Sequence, residues 1–239
     1  METLHQLLRW THVGAGFVGL VVFWIPVVVR KGGQLHKVCG RIFTACAYIV
    51  AGSAVLSVAY YLGWGERISR ADQGFLVLLA YLALNAFVLV RHANRVVANR
   101  KAPESVDTPL HRILAWLCIA GSLGVAGWGL SLWSTRTIIF LALSPIGINV
   151  GRGVLAYLNT PLQERMGWFY EHMRNMLGAG IAFHTAFAVF GAGRLFGLHI
   201  DGLLGVLPWI LPALIGGVSS SLWERRYRRR FDAGNRAAA

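Results

Sequence analysis

Apolar runs of membrane-spanning length recur along the chain and are separated by short polar connections. A transmembrane helix needs about 20 mostly apolar residues. The segments that meet this requirement are residues 7–29, 38–64, 74–90, 110–133, 137–158, 176–196 and 203–222. The pattern predicts an all-α, polytopic integral membrane protein built as a bundle of seven transmembrane helices.

Lysine and arginine are concentrated in alternate connections. The connections after the first, third and fifth predicted helices, together with the C-terminal tail, hold Arg30, Lys31, Lys37, Arg41, Arg91, Arg95, Arg100, Lys101, Arg112, Arg165, Arg174, Arg225, Arg226, Arg228, Arg229 and Arg230. In the connection after the second helix, Arg67 and Arg70 are balanced by Glu66 and Asp72. Because cytoplasmic loops of membrane proteins carry an excess of basic residues, this asymmetry predicts an N-terminus outside and a cytoplasmic C-terminus.

The chain divides into a transmembrane domain, residues 1–223, and a basic cytoplasmic tail, residues 224–239. Arginines immediately after a transmembrane helix predict contact with anionic lipid headgroups. The net charge of +13 is therefore assigned to membrane loops and not to nucleic-acid binding. Only 14% of the residues are charged, against about 25% in soluble domains, which also favours a lipid environment. Cys39, Cys46 and Cys118 form no CxxC pair and are predicted to be small packing residues.

Histidines fall into two predicted layers. The inner layer is His36, His111 and His172, near the starts of helices that begin at the cytoplasmic face, with His92 close by. The outer layer is His12 on the first helix and His184 on the sixth. His184 follows His172 by 12 residues, or about 18 Å along a helix. Ionisable residues inside a membrane are costly and mark functional sites.

Haem binding is the first interpretation of these layers. His12 and His184 would hold an outer haem b, and two of the three inner histidines would hold an inner one, each through a neutral imidazole nitrogen. Arg41 and the intramembrane Arg152 are the predicted partners of the haem propionates. The protein would then be redox-linked and would exchange electrons with a redox partner in the membrane. Arg152 lies within an apolar run, so a partner is expected, and the candidates are Glu171, an anionic ligand or backbone carbonyls.

Two further interpretations stay open. In the first, the histidines are structural and the protein is a non-enzymatic transport, assembly or sensor component. In the second, His36, His111 and His172 bind zinc as three ligands with water in the fourth position, in a membrane hydrolase. The chain has no HExxH motif, and Glu171 is the one acidic side chain in the cluster that could act as a base.

Two stretches resemble a family of bacterial membrane proteins. The first is residues 12–57, which contain His12 and the turn His36-Lys37-x-x-Gly40-Arg41-Ile42-Phe43. The second is residues 171–191, with the sequence EHMRNMLGAGIAFHTAFAVFG. The family is known as domain of unknown function 2306. The resemblance implies a place in the bacterial inner membrane and a role for the histidines of both stretches and Arg41. It implies no activity, because the family has no settled one.

Overall fold

The computed structural model describes residues 2–64, 69–132, 136–160, 166–197 and 202–236. The helices are α1 (Glu2–Val28), α2 (Gln34–Trp64), α3 (Arg70–Ala98), α4 (Pro109–Leu132), α5 (Arg136–Leu143), α6 (Pro145–Asn159), α7 (Gly167–Ala186), α8 (Ala192–Phe196) and α9 (Leu207–Arg236). Short 3₁₀ turns, Pro103–Val106 and Gly202–Val206, precede α4 and α9, and a π-helical turn, Phe187–Gly191, joins α7 to α8. These residues contain no strand, so the predicted all-α class is confirmed.

Six helical segments are long and apolar enough to cross a membrane: Gln6–Val28, Gln34–Gly63, Asp72–Ala98, Pro109–Leu132, Arg136–Asn159 and Leu204–Phe231. Large apolar side chains cover their outer surfaces, including Trp10 (71% exposed), Leu123 (65%) and Val218 (61%). Such a surface needs lipid, because contiguous exposed apolar area is rare on soluble monomers. The prediction of a multi-pass membrane protein is confirmed at this level. Three residues used in the charge count, Glu66, Arg67 and Arg165, lie outside the described residues.

Helices α3 and α7 extend well beyond their predicted ends into polar sequence. The third predicted helix ended at residue 90, but α3 continues to Ala98 and includes His92. The sixth was predicted to start at residue 176, but α7 begins at Gly167 and includes Glu171. Both predicted ends are wrong for the same reason. The polar side chains face other helices, where they find hydrogen-bond partners, and so the helix continues past the apolar run.

The fifth predicted helix is broken in two. Pro145 has no N–H and begins α6, so the helical hydrogen bonds stop at Ser144. The Tyr81 hydroxyl of α3 fills this break. It donates to the Ser144 carbonyl oxygen at 2.7 Å and accepts from the Gly147 N–H at 2.6 Å. The break therefore lies in the protein interior, where the freed backbone groups have partners.

Helix α3 stands at the centre of the bundle and packs on α2, α4, α6 and α7. It contributes to three apolar clusters: Val90 joins α1, α2 and α7, Val88 and Val96 join α4 and α6, and Leu78 joins α4, α5 and α9. The α4–α6 contact is close at Gly151, where an added Cβ would collide with the Ala115 carbonyl oxygen. Small residues allow such backbone approach in membrane bundles.

Helix α9 runs through the predicted boundary between residues 223 and 224 without a break. Beyond it, Tyr227 and Phe231 pack on Phe169 of α7, with ring centroids 5.1 and 5.7 Å away. The Arg228 guanidinium lies 4.1 Å from the centroid of the Tyr170 ring. The first turns of the basic segment are therefore part of the helix bundle.

Candidate functional site

A chain of buried titratable side chains connects α3, α4 and α7. The Nδ1 of His92 lies 3.0 Å from the Nε2 of His111. The Nε2 of His92 lies 3.0 Å from Oε1 of Glu171. His92 and His111 are 0% and 1% exposed, and Glu171 is 7% exposed. Two consecutive helices, α3 and α4, and the distant α7 thus bring two imidazoles and one carboxyl group into a single hydrogen-bonded line.

Local contacts position each member of this line. At the start of α4, the Thr108 hydroxyl accepts from the His111 backbone N–H at 3.3 Å. Arg112 pairs with Asp107 at 2.6 Å and reaches Asn159 of α6 at 3.0 Å. Both contacts hold the first turn of α4 in place. The hydrogen bond from Arg112 lowers the pKa of Asp107, so this ion pair is present at neutral pH.

Two further side chains of α7 hold Glu171 in place. Asn175, one turn later on α7, donates to Oε1 at 2.9 Å, and Arg174 lies 3.4 Å from Oε2. Arg174 also contacts Glu224 of α9 at 3.2 Å. Since Arg174 is 43% exposed on its side chain, the line runs from the buried interior towards the surface between α7 and α9.

The proton positions in this line follow from its chemistry. An ionised carboxylate only accepts, so Nε2 of His92 carries a proton and donates to Glu171. With both rings neutral, Nδ1 of His92 then accepts from the Nε2–H of His111. That leaves Nδ1 of His111 as an unprotonated nitrogen, and it is buried with no hydrogen-bond partner among the described residues. The line is complete except at this end.

His36 of α2 and His172 of α7 form a second pair, with ring centroids 6.4 Å apart. Nδ1 of His36 donates to the Pro26 carbonyl oxygen at 3.1 Å, and Nδ1 of His172 donates to the Ala93 carbonyl oxygen at 3.2 Å. A carbonyl oxygen can only accept, so each neutral ring keeps its Nε2 unprotonated. Metal-binding histidines commonly hold their second nitrogen in this way.

His12 and His184 are not brought together. Nδ1 of His184 donates to the Gly180 carbonyl oxygen at 2.7 Å, and its Nε2 accepts from Trp24 at 3.1 Å, so both ring nitrogens are engaged. His12 contacts Ser53 of α2 at 2.9 Å. Phe183, next to His184, packs at Gly19, which is seven residues or about 10 Å along α1 from His12. The two histidines lie at different levels of the bundle.

The other predicted site residues are also dispersed. His111 is paired with His92 and not with His36 or His172. Among the described residues, no group of three His, Cys, Asp or Glu side chains could hold a metal ion. The zinc site of His36, His111 and His172 stays a prediction, and the described residues do not bring these three side chains together. Arg41 is exposed on α2.

Arg152 is not brought to Glu171, one of the candidates for its partner. Its side chain is exposed on α6. Glu171 is engaged by His92, Asn175 and Arg174. One face of a spanning helix can point outwards, where a long side chain can extend towards the interface.

Sequence reasoning placed His92 beside the inner layer but gave it no role. A signal was present: Val88, His92 and Val96 are spaced by four residues and therefore share one face of α3. All three are 0–1% exposed. Glu171 and Asn175 repeat the same spacing on α7. A histidine in register with buried valines is predicted to be buried, which the apolar run alone did not reveal.

The chain matches no protein-family model, no curated protein and no solved structure. The resemblance to domain of unknown function 2306 stays a prediction.

Proposed function

We propose that this chain is a proton-coupled membrane protein, in which His111, His92 and Glu171 bind and relay a proton for a transport or redox step. One observation carries the proposal: two hydrogen bonds of 3.0 Å join these groups in a continuous buried line. Chains of histidine and carboxyl groups inside membrane bundles are typical of proton relays. Its far end, Nδ1 of His111, is buried without a partner among the described residues, as are atoms of Asn85, Arg91, Arg95 and Trp128. Of these atoms, it alone is an imidazole nitrogen that can accept a proton.

In this relay, one proton enters at His111 and one proton is delivered to Glu171. A proton arriving at Nδ1 of His111 allows its Nε2–H proton to move to Nδ1 of His92. His92 then passes its Nε2–H proton to Oε1 of Glu171. The carboxyl group becomes neutral, which weakens its contact with Arg174 at 3.4 Å. Because Arg174 also contacts Glu224, protonation of Glu171 alters the contact between α7 and α9.

The test is infrared pH-difference spectroscopy on the full chain in lipid nanodiscs. We expect a carboxyl C=O band that appears on acidification and is absent in Glu171→Gln. His92→Gln should shift this band, because His92 supplies the hydrogen bond to the carboxyl. The matched control is Glu104→Gln, an exposed carboxyl between α3 and α4, which should leave the band in place. Identical spectra for the wild type and Glu171→Gln would contradict the proposal.

We further propose seven crossings in the bacterial inner membrane, with α5–α6 and α7–α8 each counted as one, the N-terminus outside and the C-terminus in the cytoplasm. Contacts of His36 with His172 and of Arg174 with Glu224 support this, because they bring helix ends from different basic connections to one side. A fluorescent protein that matures in the cytoplasm should fluoresce when fused after the C-terminus. Activity of a phosphatase that matures outside the cytoplasm, fused at the same place, would reverse the orientation.

A second candidate function is haem-linked electron transfer at His36 and His172. The observation that favours it is the donor set: both imidazoles give Nδ1–H to backbone carbonyls and keep Nε2 for a metal. Haem needs only two axial protein ligands, since the porphyrin supplies the other four nitrogens, so this pair suffices where zinc would need a third ligand. When bound, the haem would supply one-electron chemistry.

Its test is the absorption spectrum of protein expressed with added haem, before and after dithionite reduction. His36→Ala and His172→Ala should each remove the same reduced band. His184→Ala is the control and should keep it, because both nitrogens of that ring are engaged within the protein. A colourless preparation, or a band lost only in His184→Ala, would rule out this second function.

A further inference from the structure

A cavity of about 280 Å³ lies between α1, α7 and α9, at the end of the bundle where α1 terminates. Its walls are apolar and include Val27, Leu177 and Trp223, and its cations are Lys31, Arg226 and Arg230. No carboxyl group is among its described lining residues. The spanning segment of α1 ends at Val28, so the cavity lies at the level where the hydrocarbon core meets the headgroups.

The cations around this cavity repel one another. Arg226 and Arg230 are spaced by four residues on α9, where like charges destabilise a helix. Neither takes part in an ion pair within the described part of the chain, whereas Arg228 of the same helix contacts Glu224 at 2.9 Å. A bound anion would relieve the repulsion and receive two guanidinium groups, which suit phosphate oxygens.

Lys31 is held in place opposite these arginines. Its Nζ donates to the Pro26 and Val27 carbonyl oxygens, at 2.8 and 2.6 Å. These oxygens lie in the last turn of α1 and have no N–H donor from the helix itself. An ammonium group has three N–H donors, so one is left for a ligand. Burial lowers the pKa of Lys31, as expected for a cation without a carboxylate partner.

We propose that this cavity binds one anionic phospholipid, with its phosphate between Lys31, Arg226 and Arg230 and an acyl chain along Val27, Leu177 and Trp223. An apolar wall joined to a cationic rim fits an amphiphile, and a free phosphate ion would leave the apolar wall unused. Basic pockets between helices on the cytoplasmic side of a membrane bind anionic headgroups. The inference is independent of the proton relay.

Native mass spectrometry of the full chain, released from detergent with added phosphatidylglycerol, measures the bound lipid. The double variant Arg226→Gln/Arg230→Gln should bind roughly 30-fold more weakly, or about fivefold for each arginine. The matched control is Arg225→Gln/Arg229→Gln, which removes the same charge from exposed positions outside the cavity lining. It should keep the affinity of the wild type, and phosphatidylcholine, whose headgroup has no net charge, should bind to the wild type more weakly than phosphatidylglycerol.

A second variant tests the apolar wall without changing any charge. Leu177→Trp enlarges a lining side chain and should displace the lipid while the three cations remain. An equal loss of lipid affinity in both arginine double variants would mean that the basic helix attracts anionic lipid without a specific site, and would contradict the proposal. Retention of lipid by Leu177→Trp, or tight binding of inorganic phosphate alone at the same arginines, would overturn the lipid as its occupant.

Discussion

Two buried polar networks tie α3 to α4, and they differ in the chemistry of their members. One is built on Tyr81 and Ser122, the other on His92 and His111. On each of the two helices, the residue of the first network lies eleven residues, or about 16 Å, from the residue of the second. The Tyr81 hydroxyl contacts Ser122 at 3.1 Å, donates to Ser144 and accepts from Gly147, so its hydroxyl has both kinds of partner. The histidine line ends at an unpartnered nitrogen of His111.

The difference separates a structural role from a functional one. The Tyr81 network consists of neutral groups and repairs the backbone break at Pro145. Asn85, which donates to the Tyr81 carbonyl oxygen, has a buried Oδ1 without a partner among the described residues, but this atom does not titrate. The histidine line consists of groups that titrate, and its open end leaves a place for a proton. Low polarity around a polar network makes each unmade hydrogen bond costly. The open nitrogen of His111 therefore differs from the open oxygen of Asn85, because it belongs to a group that can take up a proton.

Loss of the carboxyl group should have the largest effect on stability. Glu171→Ala leaves the Nε2–H of His92 and the Nδ2 of Asn175 without their shared acceptor. A buried donor left without its acceptor costs about 1–3 kcal/mol, and here two donors lose theirs. The free energy of unfolding in mixed detergent micelles measures it, with Glu104→Ala as the exposed control. Equal stability of the two variants would mean that Glu171 contributes no buried interaction.

Tyr81→Phe should have the next largest effect. It removes the hydroxyl that serves the backbone break between α5 and α6, and a buried group left without its partner costs about 1–3 kcal/mol. The same unfolding assay applies, with Tyr48→Phe, a partly exposed ring at 36%, as the control. Unlike Glu171→Gln, Tyr81→Phe should leave the infrared carboxyl band unchanged. Loss of the carboxyl band in Tyr81→Phe would show that the two networks are coupled and would contradict their separation.

His184→Phe should have a smaller effect, about 1 kcal/mol, because the Trp24 indole N–H loses its acceptor. It tests whether a histidine with both nitrogens engaged is structural. We expect lower thermal stability and an unchanged carboxyl band in the infrared spectra. Loss of that band in His184→Phe would assign this histidine to the relay and contradict its structural role.

The smallest effect is expected at the partly exposed ion pair of Asp107 with Arg112. The lowered pKa of Asp107 means that the pair stabilises the fold above the ordinary carboxyl pKa of about 3.9. That contribution is lost as the pH falls through the lower folded-state pKa. The melting temperature of Asp107→Asn should therefore lie below that of the wild type at pH 7, and the gap should close in strong acid. A gap that widens on acidification would contradict this assignment.

The apolar pattern determined the class of the protein. The all-α fold and the spanning helices follow from runs of about 20 apolar residues, since only helices satisfy their own backbone in lipid. The packing role of Cys39, Cys46 and Cys118 was also predicted correctly, as all three are free and buried. These features depend on local sequence, where composition and spacing are sufficient.

Only the tertiary structure decided the ends of α3 and α7 and the partners of the histidines. A polar residue at the end of an apolar run can face the headgroups or another helix, and its neighbours in sequence do not distinguish these cases. His92 and Glu171 lie 79 residues apart, and their contact depends on how α3 packs against α7. His111 consequently pairs with His92, and His184 with Trp24. The choice of partner depends on packing between helices, which the order of residues in one helix does not contain.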